Sequence, residues 1–260
     1  MKLGCCTSLD HISQLREAGI SCIELNANSV EALSQEAFEA LCQTLSQEKT
    51  IAADSANCLF PGSAVPLFQD TGLKETEAYL KRLLPRLGRL GIKYLVFGSG
   101  AYRKAPEGLS QSDIKNTVSD FLRLLCEIAA QQNISIVIEP LNRSETNVIN
   151  TTSEAIPYLD ELKLPNLFLL VDLYHFEREG EALSKIEEYA SVLRHVHIAN
   201  PDGRGVPSLK DQYDYTEFFR RLRKIGYQGI VSLEYTSKDG MFAEELRLAS
   251  ELFRMQTAEN

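Results

Sequence analysis

The chain has 260 residues, of which 44% are hydrophobic and 24% charged, so it can bury one large core and is not a disordered protein. Its 36 Asp and Glu residues against 27 Lys and Arg give a formal net charge of −9 at pH 7. Nucleic-acid binding depends mainly on clustered Lys and Arg, so this balance favours a protein that acts on small molecules.

Short apolar segments recur along the chain, each followed by a helical pattern of apolar residues. The eight predicted strands cover residues 2–7, 22–25, 51–56, 94–98, 134–139, 167–172, 193–199 and 230–235. Several are continuous apolar runs, as in 167–171, which is typical of parallel strands that are covered on both faces.

The predicted helices lie between these strands. They cover residues 9–18, 35–48, 76–90, 111–131, 153–162, 184–191, 215–224 and 241–255. The apolar residues Ile114, Val118, Phe121 and Leu125 recur at helical spacing, for example. Pro85 falls inside the third helix, which we expect it to kink or split.

Eight strand–helix units in 260 residues predict an α/β fold, a single (β/α)8 TIM barrel, with one domain over residues 1–260. A doubly wound sheet is the alternative, but no G-x-G-x-x-G follows the first predicted strand. The connections 57–73 and 98–109 are long. In a barrel both overhang the carboxyl-terminal face, where such folds build their active sites.

Four consecutive predicted strands end in side chains that bind metals: Glu139, Asp172, His197 and Glu234. Each alone would usually be a cap or a salt-bridge partner, but in a barrel the four converge at one mouth. Buried charges need a partner or a metal ion. Three carboxylates and one imidazole suit Mn²⁺, our first choice, with Mg²⁺, Co²⁺ and Zn²⁺ as alternatives. We therefore predict a site for one divalent ion.

Other polar residues near these strand ends have less certain roles. His195 shares the inward parity of His197 and is expected to be a core or supporting histidine, and Glu24 also points toward the mouth. Arg103 and Lys104 could contact a phosphate, but paired basic residues in loops are usually solvated, and we expect that here. The segment 58–61 is either an apolar wall of the site or local packing.

The sequence has no C-x-x-C pair among Cys5, Cys6, Cys22, Cys42, Cys58 and Cys126. This spacing favours free, mostly buried thiols. No apolar run reaches the roughly 18 residues that span a bilayer, and the first residues do not resemble a signal peptide. We expect a cytoplasmic protein with no membrane partner.

Six segments carry a family resemblance: 96–100, 139–145, 172–175, 195–197, 204–207 and 233–234. In these segments the chain resembles the xylose isomerase-like TIM-barrel superfamily of sugar isomerases and epimerases, and most closely its ketose 3-epimerase (tagatose/psicose epimerase) branch. The resemblance implies that Glu139, Asp172, His197 and Glu234 hold one divalent metal. It also implies that Glu145, His175 and Arg204 contact the substrate. The stretch from His197 to Arg204 is one residue longer than in ketose epimerases and closer to hydroxypyruvate-isomerase-like sequences.

The chemistry that suits such a site is proton abstraction next to a carbonyl through an enediolate. Glu139 and Glu234, on strands roughly 135° apart around the barrel, can approach opposite faces of a substrate. This favours C3 epimerisation of a ketose or keto-sugar, with the two glutamates as the acid/base pair.

Several alternatives remain open. One is a hydroxypyruvate- or inosose-type isomerase or dehydratase, and another is a non-catalytic sugar-binding barrel. An AP endonuclease is disfavoured, because its three-zinc cluster needs many histidines and this chain has four. The expected partner is a small sugar or keto-sugar rather than nucleic acid, and a homodimer is compatible with the family.

Overall fold

The fold was analysed in a computed structural model, which describes residues 1–258. Within that part, eight parallel strands form one closed barrel in the order β1 to β8. The strands are β1 (Lys2–Cys6), β2 (Cys22–Asn26), β3 (Ala52–Asn57), β4 (Tyr94–Phe97), β5 (Ser135–Ile138), β6 (Leu167–Asp172), β7 (Leu193–Ile198) and β8 (Ile230–Leu233). The ring closes because β1 pairs with β8, with Gly4 opposite Ser232. The predicted TIM barrel is confirmed.

Helices cover the outside of the barrel. Within the described residues they are α1 (Ile12–Ala18), α2 (Ala27–Ala32), α3 (Gln35–Gln47), α4 (Gly72–Arg89), α5 (Gln111–Ala130), α6 (Thr152–Leu162), α7 (Leu173–Arg178), α8 (Thr216–Lys224) and α9 (Phe242–Thr257). The side chains of Ser34, Ser110 and Thr151 each accept a hydrogen bond from a backbone N–H in the first turn of α3, α5 and α6, respectively. Gly19 ends α1 with a φ of 76°, a left-handed conformation that glycine adopts without a steric penalty.

Strand parity divides the buried residues into two groups. Residues such as Leu3, Ile23 and Leu169 face the helices and join one large apolar core. Val96, Val137 and Leu170 form a separate small cluster on the alternate positions, which face the barrel axis. The same inward parity on β6 and β7 leads to Asp172 and His197, which are paired in the strand register. The alternation that fills the barrel therefore also carries polar side chains to its mouth.

The two long connections pack against each other on the carboxyl-terminal side of β3 and β4. The Phe60 ring stacks on Tyr102 with a centroid distance of 3.7 Å, and both rings contact Phe121 of α5. The backbone N–H of Leu67 donates to the carbonyl of Tyr102 at 2.9 Å. Phe60 is thus packed, whereas Cys58 is exposed at the start of the connection.

The structure differs from the predicted elements in a few places. The short helices α2 and α7 were not predicted, and the predicted helix at 184–191 is a 3-10 helix over Leu183–Tyr189. Helix α4 continues through Pro85 and is not split there. All six cysteines are free, and among residues 1–258 no helix is both long and apolar enough to cross a membrane.

Replacing Phe121 by alanine tests the packing between the loops and the helical layer. The ring is fully buried against Phe60, Phe97 and Tyr102. We expect Phe121→Ala to lower the free energy of unfolding by about 3–5 kcal/mol, as measured by urea denaturation. The control Leu109→Ala, at a position that is 39% exposed, is expected to change it by less than about 0.5 kcal/mol. Equal effects of the two substitutions would contradict the packing described here.

Candidate metal and active site

The four side chains that the sequence singled out meet at the barrel mouth. Glu139 follows β5, Asp172 ends β6, His197 lies on β7 and Glu234 follows β8. One ligand atom from each lies within 4.8 Å of the others. His197 Nδ1 is 3.0 Å from Glu139 Oε1 and 3.6 Å from Glu234 Oε2. Four donor atoms at this spacing could hold one metal ion.

The surroundings of Asp172 indicate that this cluster fits a cation. Its Oδ1 accepts a hydrogen bond from the backbone N–H of Tyr174 at 2.9 Å and so caps α7. Its Oδ2 is buried and has no hydrogen-bond partner among residues 1–258. An unpartnered buried carboxylate oxygen is costly, and coordination to a divalent ion would remove that cost. The donor set of three carboxylates and one imidazole suits Mn²⁺ or Mg²⁺.

Glu24 of β2 connects the two buried histidines of β7. His197 Nε2 donates to Glu24 Oε1 at 2.9 Å, and His195 Nε2 donates to Glu24 Oε2 at 2.7 Å. Ser55 Oγ donates to Glu24 Oε2 at 2.9 Å. A proton on Nε2 of His197 leaves Nδ1 free to face the cluster, so Glu24 fixes the ring orientation that ligation needs. His195 holds the Glu24 carboxylate from the opposite oxygen, which agrees with the core or supporting position that the sequence predicts for it.

The pKa values of the cluster follow from burial and crowding. Burial and the neighbouring carboxylate of Glu234 raise the pKa of Glu139, and burial and Glu139 raise that of Asp172 to about 8. Burial would also raise the pKa of Glu234, but His197 and Arg204 outweigh it and lower the value to about 2. Against its burial, the carboxylates around His197 raise the pKa of that imidazole. The metal-free cluster therefore holds protons that a divalent ion would displace.

Arg204 lies beside the cluster and contacts two acids, Glu234 of the cluster and the neighbouring Glu145. Its guanidinium donates to Glu234 Oε2 at 2.5 Å and to Glu145 Oε1 at 3.1 Å. The φ of Arg204 is 55°, and the backbone is fixed by a hydrogen bond from Thr236 N–H to the Arg204 carbonyl at 2.8 Å. Asn57 of β3 donates to the other oxygen of Glu234 at 3.0 Å. Both carboxylate oxygens of Glu234 are thus held in place.

His175 presents one ring nitrogen to the site. Its Nδ1 accepts from the backbone and side-chain N–H groups of Asn142 at 3.2 and 2.9 Å, so the proton lies on Nε2. Nε2 is buried, lies 3.4 Å from Asp172 Oδ2 and has no hydrogen-bond partner in the described chain. Burial and Arg204 lower the pKa of His175 to about 3, so the ring is neutral. The Nε2–H group is a free donor facing the cluster.

Asn57 and Asn142 are site residues that the sequence reasoning missed. Asn142 donates from its amide to Glu145 Oε1 at 3.3 Å as well as contacting His175, so it links two of the predicted substrate contacts. Asn142 lies within the segment 139–145 that carried the family resemblance, and that segment was the available signal. Asn57 directly follows buried residues at the end of β3, as the four predicted ligands do on their strands.

The expectation that Arg103 is solvated is wrong. Its side chain is fully buried, whereas Lys104 is exposed as expected. The guanidinium donates to the backbone carbonyls of Phe97 at 2.9 Å, Glu139 at 2.8 Å and Val148 at 3.0 Å. Burial lowers the pKa of Arg103 to about 10, so it stays charged at neutral pH. Arg103 joins the ends of β4 and β5 and fixes the main chain of Glu139.

Gly98 lets the Glu139 carboxylate lie close to the end of β4. A Cβ at position 98 would overlap Glu139 Oε2. A side chain here would force the Glu139 carboxylate to shift, because the main chain of Glu139 is held by Arg103 and cannot move away.

Comparison with known proteins agrees with this architecture. The family model described as "Xylose isomerase-like TIM barrel" matches residues 12–255. The chain belongs to this family. A ketose 3-epimerase of Arthrobacter globiformis is 30% identical over 252 residues, which are 96% of this chain and 84% of that protein.

Two other matches extend the comparison. A 3-dehydro-D-guloside 4-epimerase of Escherichia coli K12 is 32% identical over 170 residues, 63% of each chain. The crystal structure of a D-psicose 3-epimerase from Clostridium cellulolyticum H10, determined with D-tagatose, superposes with a TM-score of 0.85 at 19% identity and covers 100% of both chains. At that identity the superposition shows a common fold. The sequence relatives include ketose and keto-sugar epimerases and also putative hydroxypyruvate isomerases.

Replacing Gly98 by alanine tests the fit between this glycine and Glu139. We expect Gly98→Ala to weaken Mn²⁺ binding at least about tenfold in a calorimetric titration, because the methyl group displaces a ligand. The control is Gly62→Ala, since a Cβ at Gly62 meets no atom within 4 Å. Unchanged Mn²⁺ affinity in Gly98→Ala would argue against Glu139 as a ligand.

Replacing Arg103 by methionine separates its effect on the site from its effect on stability. Arg103→Met leaves buried carbonyls unpaired and is expected to lower the free energy of unfolding by about 3 kcal/mol and to weaken Mn²⁺ binding. Arg86→Met is the matched control, because Arg86 donates to the carbonyls of Val30, Glu31 and Leu33 far from Glu139. We expect that control to lose stability but keep its Mn²⁺ affinity. Equal Mn²⁺ binding by both variants would contradict a role in placing Glu139.

Proposed function

We propose that the protein is a metal-dependent epimerase of a ketose or keto-sugar, with C3 as the reacting carbon. The observation that carries the proposal is the convergence of Glu139, Asp172, His197 and Glu234 at one barrel mouth, with ligand atoms within 4.8 Å of one another. Similarity to a ketose 3-epimerase over 96% of the chain supports the epimerase, and similarity to a putative hydroxypyruvate isomerase over 63% of it keeps an isomerase as the alternative.

The four ligands would hold one divalent ion, with Mn²⁺ as the first candidate. When bound, such an ion polarises a sugar carbonyl and offsets the negative charge that develops on its oxygen. The cluster itself favours a cation, because the buried carboxylates of Glu139 and Asp172 are crowded against the partly exposed Glu234, and Asp172 Oδ2 has no partner in residues 1–258.

Glu139 and Glu234 would act as the acid/base pair. They follow β5 and β8, so their carboxylates reach the substrate from different sides of the barrel mouth. One glutamate removes the proton from the carbon next to the carbonyl, which gives an enediolate, and the other returns a proton to the opposite face. This transfer inverts the configuration of that carbon.

The neighbouring residues would orient the substrate and the glutamates. His175 Nε2–H faces the cluster without a partner among the described residues and can donate to a substrate oxygen. Arg204 holds Glu234 Oε2 and offsets charge that develops nearby, while Asn57 holds Glu234 Oε1. Glu145, at the mouth and bonded to Arg204, can accept a substrate hydroxyl. Each substrate contact keeps the reacting carbon between the two glutamates.

Deuterium uptake from solvent tests the proposed pair. In D₂O with saturating Mn²⁺ and a panel of ketoses and keto-sugars followed by NMR, the unaltered protein is expected to label the carbon next to the carbonyl. Glu139→Gln and Glu234→Gln are each expected to lower the exchange rate at least about 100-fold, because a general acid or base is lost. Undiminished exchange in both variants would contradict the assignment.

Two further variants separate proton transfer from metal binding. Asp172→Asn removes a ligand that has no proposed proton-transfer role. We expect the exchange rate of this variant to recover in part when Mn²⁺ is raised to saturation, whereas the exchange rates of the two glutamate variants stay low. Glu127→Gln, at an exposed position on α5, is expected to behave as the unaltered protein. Restoration of Glu139→Gln by Mn²⁺ would instead indicate that Glu139 is a ligand only.

A further inference from the structure

A large cavity extends from the candidate site toward helix α3, and we name it the α3 cavity. Its volume is about 680 Å³. At its inner end lie Asn57, Cys58 and Glu234, and at its outer end lie Val30, Leu33, Ala37, Ala40 and Leu41. The lining runs from the segments at the ends of β1, β2, β3 and β8 to helices α2 and α3. The cavity is therefore continuous from the barrel mouth to a cleft beside α3.

The position of the cavity fixes which part of a substrate would enter it. Glu234 is one of the two proposed proton-transfer residues and lines the inner end together with Asn57, its hydrogen-bond donor. A substrate whose reacting carbon lies at Glu234 would direct its remote end into the α3 cavity. Cavities of about 300–1,000 Å³ accommodate drug-sized ligands, so this one has room beyond a single sugar ring.

Some polar side chains of the cavity are engaged within the protein, while the buried Tyr235 hydroxyl has no partner among the described residues. The Asn57 amide donates to Glu234, and the Asn26 side chain accepts from the Ser29 backbone at 3.0 Å. Ser8 Oγ donates to Asp10 at 3.0 Å. The outer end is made of aliphatic and small side chains on α2 and α3. This outer end is open to solvent, with Ala37 and Ala40 exposed. An apolar group placed on the aliphatic side chains would remove apolar surface from water, whereas a polyhydroxylated tail would gain little from the same contact.

The charges of the cavity disfavour a phosphate. Asp10, Glu24 and Glu234 line it, and none of its lining residues in the described chain is Lys, Arg or His. A phosphate in this space would meet acidic groups without a compensating cation, and like charges in a partly enclosed site repel strongly. Arg204, which could pair with an anion, is already bonded to Glu234 and Glu145.

We propose that the substrate is an unphosphorylated keto-sugar that carries an apolar substituent, such as an aglycone, at the end remote from the reacting carbon. This substituent lies in the α3 cavity, between α3 and the segment that follows β1. The inference rests on the proposed function, since it assumes that the reacting carbon lies between Glu139 and Glu234.

The experiment compares four compounds that share one keto-sugar. The shared keto-sugar carries its carbonyl away from the anomeric carbon, so that glycoside formation leaves the reacting carbonyl intact. The four compounds are the free sugar, its methyl glycoside, its phenyl glycoside and its phosphate ester, each incubated with the Mn²⁺-loaded full-length protein in D₂O. We expect kcat/KM for deuterium uptake to be at least tenfold higher for the phenyl than for the methyl glycoside, and lowest for the phosphate ester. Equal values for the phenyl and methyl glycosides, or a preference for the phosphate ester, would overturn the inference.

Two substitutions on α3 test where the substituent lies. Ala40→Phe fills part of the cavity and is expected to lower the phenyl-to-methyl ratio of kcat/KM at least fivefold. Gln43→Phe places the same ring at an exposed position of the same helix that does not line the cavity, and it should leave the ratio unchanged. An unchanged ratio in Ala40→Phe would place the substituent elsewhere and overturn the inference.

Failure of the proposed function gives a different result. If none of the four compounds takes up deuterium, the epimerase proposal is wrong, and calorimetric binding of the same compounds then decides the cavity inference. Phenyl glycoside binding that is at least tenfold tighter than binding of the free sugar, and that Ala40→Phe weakens, supports an apolar ligand site. Equal binding of the two compounds overturns it.

Discussion

The crowding of carboxylates at one end of the barrel is the constraint on which the site depends. Glu24, Glu139 and Asp172 are buried within reach of one imidazole, that of His197, and Glu234 completes the group at the rim. Buried charges of one sign are tolerated when cations or protons compensate them. Arg204 supplies part of the compensation from the rim, and the shared protons supply another part. A divalent ion would complete the balance while using the same oxygens.

The backbone of the barrel mouth is built to keep these acids close together. Arg103 is buried where the ends of β4 and β5 meet the segment 148–149, and its planar guanidinium binds carbonyl groups from all three. Its positive charge also lies near Glu139. Arg103 thus fixes the main chain of Glu139 and moderates the electrostatic repulsion between the Glu139 carboxylate and its acidic neighbours. Gly98 completes this arrangement by leaving space for the carboxylate.

Much of the fold and the core of the site could be predicted from the sequence. Repeated apolar runs predict the barrel, and the position of Glu139, Asp172, His197 and Glu234 at the ends of four consecutive strands predicts that they meet at one mouth. These predictions succeeded because both depend on local periodicity. The role of Arg103 could not be predicted, because its burial depends on carbonyl groups more than 40 residues away in the chain. The part played by Asn57 likewise depends on Glu234, which lies 177 residues further on.

The clamp formed by Glu24 with His195 and His197 has a consequence for how the protein is made. Its two sides are separated by 171 and 173 residues, so Glu24 leaves the ribosome long before either imidazole can pair with it. Until β7 is synthesised, a partial barrel contains an inward-facing carboxylate without its two hydrogen-bond donors from that strand. The hydrogen bonds between Glu24 and β7 can therefore stabilise the closed barrel only after the last quarter of the chain has been synthesised. An isolated N-terminal half-barrel lacks that stabilisation.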